Sequence, residues 1–191
     1  AVAVCASVGT AVAEPVDLYS STSNAMDPMC INGPAALDAG RPPVRGAELR
    51  CHGQPPITSR CWWEFVPTSL RVPPPGAASR PVALHVDLHG ATSCAYQRAA
   101  KSGYASAAEA APDAIVVWPN AKTSELWNAG SCCAGNPPAT DDLGFLRQMV
   151  ADVVAQRRAS PHPINLRRIF VTGHAEGCML AQSLLIWLPG L

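Results

Sequence analysis

The sequence predicts one α/β domain built on a mostly parallel sheet with helices on both faces. Three observations carry this prediction: short apolar runs alternate with helical patterns, 48 % of the 191 residues are apolar, and a Gly-His-Ala-Glu-Gly turn joins a strand to a helix. Strands separated by helices favour parallel pairing, because a parallel connection must cross the sheet. The apolar fraction suffices for one sizeable core, and the charged fraction of 15 % is too low for a disordered chain.

Four short apolar runs have the composition of β-strands. They carry β-branched and aromatic residues and end at turn or breaker residues such as Pro67 and Gly90. The run at 115–118 is continuously apolar, which is typical of a strand buried on both faces. The sequence therefore predicts strands at 61–66, 81–88, 115–118 and 169–172.

Three segments have helical patterns. Residues 96–111 are rich in alanine, are interrupted at Gly103 and end before Pro112. Residues 141–154 repeat apolar side chains at steps of three and four, as an amphipathic helix lying on a sheet does. The third segment, 176–188, follows the glycine-flanked turn. We therefore expect one helix after each of the last three predicted strands.

The first thirteen residues are small and apolar and stop at Glu14. Ala11-Val12-Ala13 fits the small-x-small rule for signal-peptide cleavage, and the stretch is too short to cross a bilayer. We interpret residues 1–13 as a signal-peptide remnant, 14–60 as a proline-rich, cysteine-containing leader and 61–191 as the N-terminal portion of the α/β domain. The alternative is that residues 1–13 form a first core strand or a buried helix.

The net charge and the expected removal of a signal peptide limit the kinds of partner that the sequence predicts. The formal net charge is zero, with 14 basic and 14 acidic side chains and no basic block, so nucleic acid is not an expected partner. A secreted mature chain without a membrane span is expected, and the sequence does not predict its oligomeric state.

Secretion would favour disulfides among the eight cysteines. Cys5 would leave with the signal, and Cys178 is most simply a small buried residue. A zinc site at Cys51, His52 and Cys61 is a weaker alternative, because its spacing matches no standard pattern. No metal is therefore expected. Three bridges are expected among six cysteines, whose pairing stays open: Cys30, Cys51, Cys61, Cys94, Cys132 and Cys133.

The turn at 173–177 has the glycine spacing of the G-x-S-x-G motif, which exposes a nucleophilic serine between strand and helix. Ala175 stands at the serine position, and its methyl group cannot attack a carbonyl. The His-Gly end of strand 81–88 lies where a loop of the oxyanion hole is expected. The backbone N–H groups of Gly90, Ala91 and Glu176 are the candidate oxyanion donors.

Four stretches, in order, resemble one family: LHVDLHGATSC, WNAGSCC, DDLGFLRQMVADVV and INLRRIFVTGHAEGCMLAQ. They are similar to secreted α/β-hydrolases of the polyhydroxybutyrate-depolymerase and feruloyl-esterase type, over residues 60–188. The resemblance implies hydrolysis of small or polymeric carboxylic esters by a Ser-His-Asp mechanism without a cofactor. It places Trp127 and Asn128 on a loop near the catalytic mouth, and it implies a bridge from Cys94 to Cys132 or Cys133. A vicinal disulfide between the last two ranks second.

The chain departs from this family pattern in two ways. Ala175 replaces the nucleophile, and no Asp, Glu or His follows Gly177, where the rest of the triad is expected. We expect a C-terminally truncated, inactive hydrolase with an unpaired sheet edge beside Thr172. Cys178 is disfavoured as a substitute nucleophile, because it lies almost a helical turn beyond the elbow. The upstream acid and base candidates all have structural explanations. His85 and His89 belong to the predicted strand 81–88 and its turn, and His162 lies between prolines in a surface loop. Asp141 and Asp142 are expected to cap the helix at 141–154.

Three functional hypotheses remain at this stage. The chain derives from a secreted ester hydrolase and is an incomplete or mutated copy. Alternatively, it is a pseudoenzyme that binds esters or aromatic acids through an intact oxyanion hole. The third hypothesis is a disulfide-linked interaction domain of hydrolase ancestry, since a fold does not determine a function.

Overall fold

The computed structural model describes residues 2–5, 42–52, 60–72, 74–76, 78–122, 126–130 and 140–187. These residues form six strands, which are β1 (Val2–Cys5), β2 (Ala47–Cys51), β3 (Cys61–Phe65), β4 (Val82–Leu88), β5 (Ala114–Pro119) and β6 (Ile164–Gly173). The helices are α1 (Thr68–Arg71), α2 (Ala95–Ser102), α3 (Tyr104–Ala110), α4 (Asp142–Arg157) and α5 (Glu176–Trp187).

The strands form one sheet in the order β1-β6-β4-β5-β3-β2. Strands β1, β6, β4 and β5 run parallel, whereas β3 is antiparallel to β5 and β2 is antiparallel to β3. Helices α4 and α5 pack on one face, and α2 and α3 pack on the other. The predicted mostly parallel sheet with helices on both faces is therefore confirmed.

The alternating side chains of the strands divide the core into two layers. On β4, Leu84 and Leu88 point into the layer beneath α4 and α5. On β5, Val116 and Trp118 point into the layer beneath α2 and α3. All four side chains are almost completely excluded from solvent. Successive side chains of a strand point to opposite faces, so a continuously apolar strand contributes to both layers of the core.

The predicted strands and helices are all present, with changed limits. The alanine-rich segment forms two helices, because Gly103 adopts a left-handed φ of 74° between them. Strand β6 begins five residues earlier than predicted, at Ile164 instead of Ile169. Strands β1 and β2 lie in the segments interpreted as a signal remnant and a leader. The main interpretation predicted neither strand.

The edge of β6 is covered. Val4 pairs with Thr172 and Cys5 with Gly173 in a parallel ladder. The expectation of an unpaired edge beside Thr172 is therefore wrong, because β1 arrives from the other end of the chain. Residues 2–5 form the strand that the alternative interpretation of the N-terminus described.

A disulfide joins Cys51 and Cys61, which lie opposite each other on β2 and β3. This confirms two of the six predicted disulfide residues and removes the zinc alternative, whose ligands they would be. Cys94 is also disulfide-bonded, and so is Cys178, which is therefore not a simple buried thiol. Cys30, Cys132 and Cys133 lie outside the described residues. Within the described ranges, no helix is long and apolar enough to span a membrane.

Candidate functional site

The turn between β6 and α5 is a tight strand-to-helix elbow. Ala175 has a φ of 47°, in the left-handed region that residues with a Cβ rarely adopt, and it is exposed. The N–H of Gly177 donates to the His174 carbonyl at 2.9 Å, and that of Cys178 donates to the Ala175 carbonyl at 2.9 Å. The backbone thus presents residue 175 to solvent at the start of a helix.

The flanking glycines are needed for close backbone contact. A Cβ on Gly173 would collide with the backbone of Gly177, and a Cβ on Gly177 would collide with the carbonyl oxygen of His89. The first collision lies within the elbow, and the second lies between the elbow and the loop after β4. Only glycine at both positions lets the two segments approach so closely.

The loop after β4 lies directly against the elbow. The N–H of His174 donates to the Leu88 carbonyl at 3.1 Å. A Cβ on Gly90 would lie 3.0 Å from the His174 carbonyl oxygen and 3.4 Å from the Cβ of Ala175. The sequence-predicted Gly90 and Ala175 are therefore neighbours in space.

The candidate oxyanion donors remain available. The backbone N–H groups of Gly90, Ala91 and Glu176 donate to no acceptor that belongs to a described residue. Glu176 is the first residue of α5, where the helix dipole favours negative charge. Ala91 is exposed, and Thr92 beside it has a left-handed φ of 58°. Glu176 follows Ala175 directly in the chain, and a Cβ on Gly90 would lie 3.4 Å from the Ala175 methyl carbon.

His89 fixes the loop after β4 and is not placed as a base. Its Nδ1 lies 2.8 Å from the Gly90 carbonyl oxygen, and its Nε2 accepts the N–H of Ala121 at 3.2 Å. An acceptor at Nε2 and a donor at Nδ1 require the neutral ring. Burial lowers the pKa of His89 to about 4. Its two nitrogens are thus both used to shape the turn.

Trp127 supports the same loop from beneath. Its indole N–H donates to the His89 carbonyl at 2.9 Å, and the two rings lie 4.8 Å apart between centroids. The side chain is 0 % exposed. Trp127 therefore packs against the loop that adjoins the elbow, and its ring offers no exposed surface to a ligand.

Asp142 and Arg60 hold the Asn128 segment. Asp142 accepts the backbone N–H of Asn128 at 2.6 Å and pairs with Arg60 at 2.5 Å. The guanidinium also lies 4.0 Å above the ring of Phe145. The expectation that both aspartates cap α4 holds only for Asp141, which accepts the Gly144 N–H at 2.7 Å. Asp142 is instead a buried anchor for the loop.

The carboxyl group of Glu176 is buried beside the elbow. The residue is 2 % exposed, and neither oxygen makes a hydrogen bond of normal geometry. Burial raises the pKa of Glu176, and the negative charge of Asp142 raises it further, while the nearby backbone of Trp127 acts in the opposite direction. A buried, unpartnered carboxyl destabilises the fold when it ionises.

A second polar cluster joins the two strands that end at the site. Asp87 accepts two hydrogen bonds from Arg98, each at 2.8 Å, one from Trp118 at 3.2 Å and one from Thr172 at 2.9 Å. His85 lies 2.8 Å from the same Thr172 hydroxyl, and burial lowers its pKa. This cluster ties the end of β4 to the residue before the elbow.

The other upstream candidates are occupied elsewhere. His162 was expected in an exposed loop, but its residue is 4 % exposed and its Nδ1 lies 3.3 Å from the Arg80 carbonyl. Within the described ranges, no three His, Cys, Asp or Glu side chains form a group that could hold a metal. Sequence reasoning missed Arg60, Asp87 and the buried state of Glu176, because no local pattern marks long-range pairs.

A cleft of about 930 Å³ lies away from the elbow. Its walls include Phe65 and Val66 at the end of β3, together with Glu109 of α3. Because β3 runs antiparallel to β5, this is the opposite end of the sheet from the carboxyl end of β6. The cleft and the elbow are therefore separate features, and the cleft lends no support to the candidate site.

The sheet order, the elbow after β6 and the adjoining loop after β4 define an α/β-hydrolase-like fold. No protein-family model matches the sequence. No curated protein matches it significantly.

This chain is similar to several solved structures at low sequence identity. A thermostable esterase superposes with a TM-score of 0.54 at 18 % identity, covering 75 % of this chain and 38 % of its own. An S-formylglutathione hydrolase from Agrobacterium tumefaciens gives 0.51 at 16 % identity, covering 76 % and 55 %. A poly(3-hydroxybutyrate) depolymerase from Bordetella parapertussis gives 0.49 at 18 % identity, covering 78 % and 49 %. The chain spans about half the length of these structures.

Proposed function

We propose that this site derives from a secreted serine-type carboxylic-ester hydrolase, and that this chain binds ester carbonyl groups without cleaving them. The observation that carries the proposal is the strained φ of 47° at Ala175, which is followed directly by Glu176, whose N–H group donates to no acceptor among the described residues. An alanine gains nothing from this conformation, whereas a residue at this position of a hydrolase is presented to its substrate.

The chemistry follows from what is retained and what is missing. Backbone donors aimed at a carbonyl oxygen polarise it, and in active enzymes one such donor contributes about 3 kcal/mol to transition-state stabilisation. Ala175 has no hydroxyl, so no acyl-enzyme can form there. Cys178 is disulfide-bonded and supplies no thiolate. Binding without turnover is the remaining capacity of the site.

The proposed ligand class is an ester of a hydroxyalkanoic or ferulic acid. The four sequence stretches that resemble depolymerases and feruloyl esterases support it, and so does the fold shared with a thermostable esterase. The disulfide between Cys51 and Cys61 supports folding in an oxidising, extracellular compartment.

Calorimetric titration with methyl ferulate tests the proposal. Coniferyl methyl ether is the matched control, because it keeps the aromatic ring but has no carbonyl oxygen. We expect saturable heat with the ester, little with the ether and no methanol release. Equal heats for the two compounds would show that the carbonyl is not recognised.

The variant Gly90→Ala tests whether the ester binds at the elbow. The added Cβ would lie 2.8 Å from the His174 Nδ1 and 3.0 Å from its carbonyl oxygen, so the loop must shift away from the elbow. Ester binding should weaken while the far-ultraviolet circular dichroism stays the same. Unchanged ester binding would place the ligand away from the elbow.

A further inference from the structure

The cleft at the opposite end of the sheet from the elbow is lined largely by apolar and small residues. Its volume of about 930 Å³ lies in the range of small-molecule sites in proteins. The lining residues come from the loop before β2, the end of β3, α1 and α3. The apolar members of this set are Val44, Phe65, Val66, Ala105 and Ala110. The cleft therefore offers an apolar surface that a small organic molecule can cover.

Small residues keep the cleft open. Gly46 has a left-handed φ of 86°, and a Cβ there would lie 3.7 Å from the Phe65 ring and 3.8 Å from the Arg71 guanidinium. The backbone of Gly46 therefore passes close to both side chains. On α3, Ala105 and Ala110 contribute only methyl groups to the lining. Larger side chains at these two positions would take up part of the space.

Two of the three charged side chains that line the cleft are already engaged. Arg71 pairs with Glu48 at 3.0 Å, and its guanidinium also donates to two backbone carbonyl groups. Glu109 accepts the backbone N–H of Thr68 at 2.9 Å. Arg45 is exposed, and its side chain makes no ion pair or hydrogen bond with a described residue. Arg45 is thus a cation at the cleft without a counter-charge among the described residues.

These charges select the charge of a ligand. A guanidinium binds a carboxylate through two parallel N–H···O bonds, so Arg45 suits a ligand with one carboxylate. Glu109 lines the same cleft and would repel a second negative charge, which disfavours a phosphate dianion. The apolar lining favours a hydrocarbon body behind the charged group, because its burial removes apolar surface from water.

We propose that this cleft binds an amphipathic monocarboxylate, with the carboxylate on Arg45 and the apolar body against Phe65 and Val66. The site is separate from the elbow in position. It also differs in ligand charge, because the elbow is proposed to bind a neutral ester. This proposal does not rest on ester binding at the elbow.

A nuclear magnetic resonance titration of the full chain with phenylbutyrate tests the proposal. Phenylbutyramide is the matched control, because it keeps the shape of the acid but has no charge. We expect saturable shifts of the amide signals of residues 105–110 with the acid, and an affinity at least about threefold lower for the amide. Equal affinities, or no saturable shift at 105–110, would overturn the proposal.

Variants of exposed arginines test the contact with the carboxylate. Arg45→Gln removes the charge without breaking an ion pair to a described residue, and phenylbutyrate should then bind at least about threefold more weakly. Arg147→Gln is the control, because Arg147 is also exposed but lies on α4, on the other face of the sheet. Unchanged binding by Arg45→Gln, or equal weakening by Arg147→Gln, would show that Arg45 does not hold the ligand.

A further variant tests the apolar part of the site. Ala110 is exposed at the end of α3, and Ala110→Trp fills part of the cleft without changing the charge. Binding of phenylbutyrate should weaken as it does in Arg45→Gln. Undiminished binding by Ala110→Trp would overturn the proposal, because the ligand would then be held by surface charge outside the cleft.

Discussion

Ala175 is one of two described residues other than glycine with a left-handed backbone conformation, the other being Thr92. A left-handed conformation costs a residue with a Cβ about 1–2 kcal/mol, and glycine avoids this cost. Ala175→Gly should therefore raise the free energy of unfolding by about 1 kcal/mol. Urea denaturation measures the change.

Ala100→Gly is the control for that substitution. Ala100 is exposed in α2, where glycine should lower the free energy of unfolding by about 1 kcal/mol. The two Ala→Gly changes should thus have opposite signs. If Ala175→Gly destabilised the protein as Ala100→Gly does, residue 175 would not hold the strained conformation.

His89 predicts a dependence of stability on pH. Its folded pKa of about 4 lies below the ordinary value of 6.5, so the unfolded chain binds the proton first. The stabilising contribution is complete above pH 6.5 and decreases as the pH falls towards 4, by about 3 kcal/mol in total. His89→Gln should remove this part of the slope, as measured by urea denaturation across the range. An unchanged slope would mean that His89 titrates normally.

For Glu176 we expect stability to depend on pH with the opposite sign. Burial raises its folded pKa above the ordinary value of 4.5, so the folded state holds the proton to higher pH than the unfolded state. Stability is therefore lost as the pH rises through the interval above 4.5. Glu176→Gln should be more stable than the parent at pH 8 and similar to it at pH 4, as measured by thermal unfolding. A variant destabilised at pH 8 would indicate a hidden partner for the carboxylate.

At the scale of elements, the beginning of α4 organises the loop near the elbow. Asp142→Asn should cost about 3 kcal/mol, because it leaves Arg60 buried without its counter-charge. Asp141→Asn is the matched control, since asparagine is an equally good N-cap. Chemical denaturation of both variants tests the difference. Equal, small effects would show that the Asp142 and Arg60 pair contributes little to the fold.

The sequence predicted most elements because their patterns are local. The elbow and the loop after β4 were recognisable from glycines at fixed spacing, and the structure brings Gly90 and Ala175 together. Strand β2 was missed because its five residues follow a proline-rich stretch, although Glu48 and Arg50 alternate with less exposed neighbours. The pairs made by Asp142 and Asp87 join separate elements of the fold, and no periodicity in the sequence encodes them.

For the whole molecule, the closure of the sheet was the least predictable feature. Strand β1 pairs with β6 across almost the full length of the chain, from Val2 to Phe170. A small apolar segment at an N-terminus has the same composition whether it is a signal remnant or a short strand. The register of Val2–Cys5 against β6 is the observation that favours the strand. The elbow follows β6 directly, so the sheet that β1 joins also positions the site.

The central proposal is that the site offers oxyanion donors but has no nucleophile at residue 175. A nuclear magnetic resonance titration of the labelled chain with methyl 3-hydroxybutyrate tests it directly, because amide shifts and released methanol appear in the same spectra. The prediction is a saturable shift of the Ala91 and Glu176 amide signals with no methanol. Methanol release at the elbow, or amide signals that do not move at saturating ester, would contradict the claim.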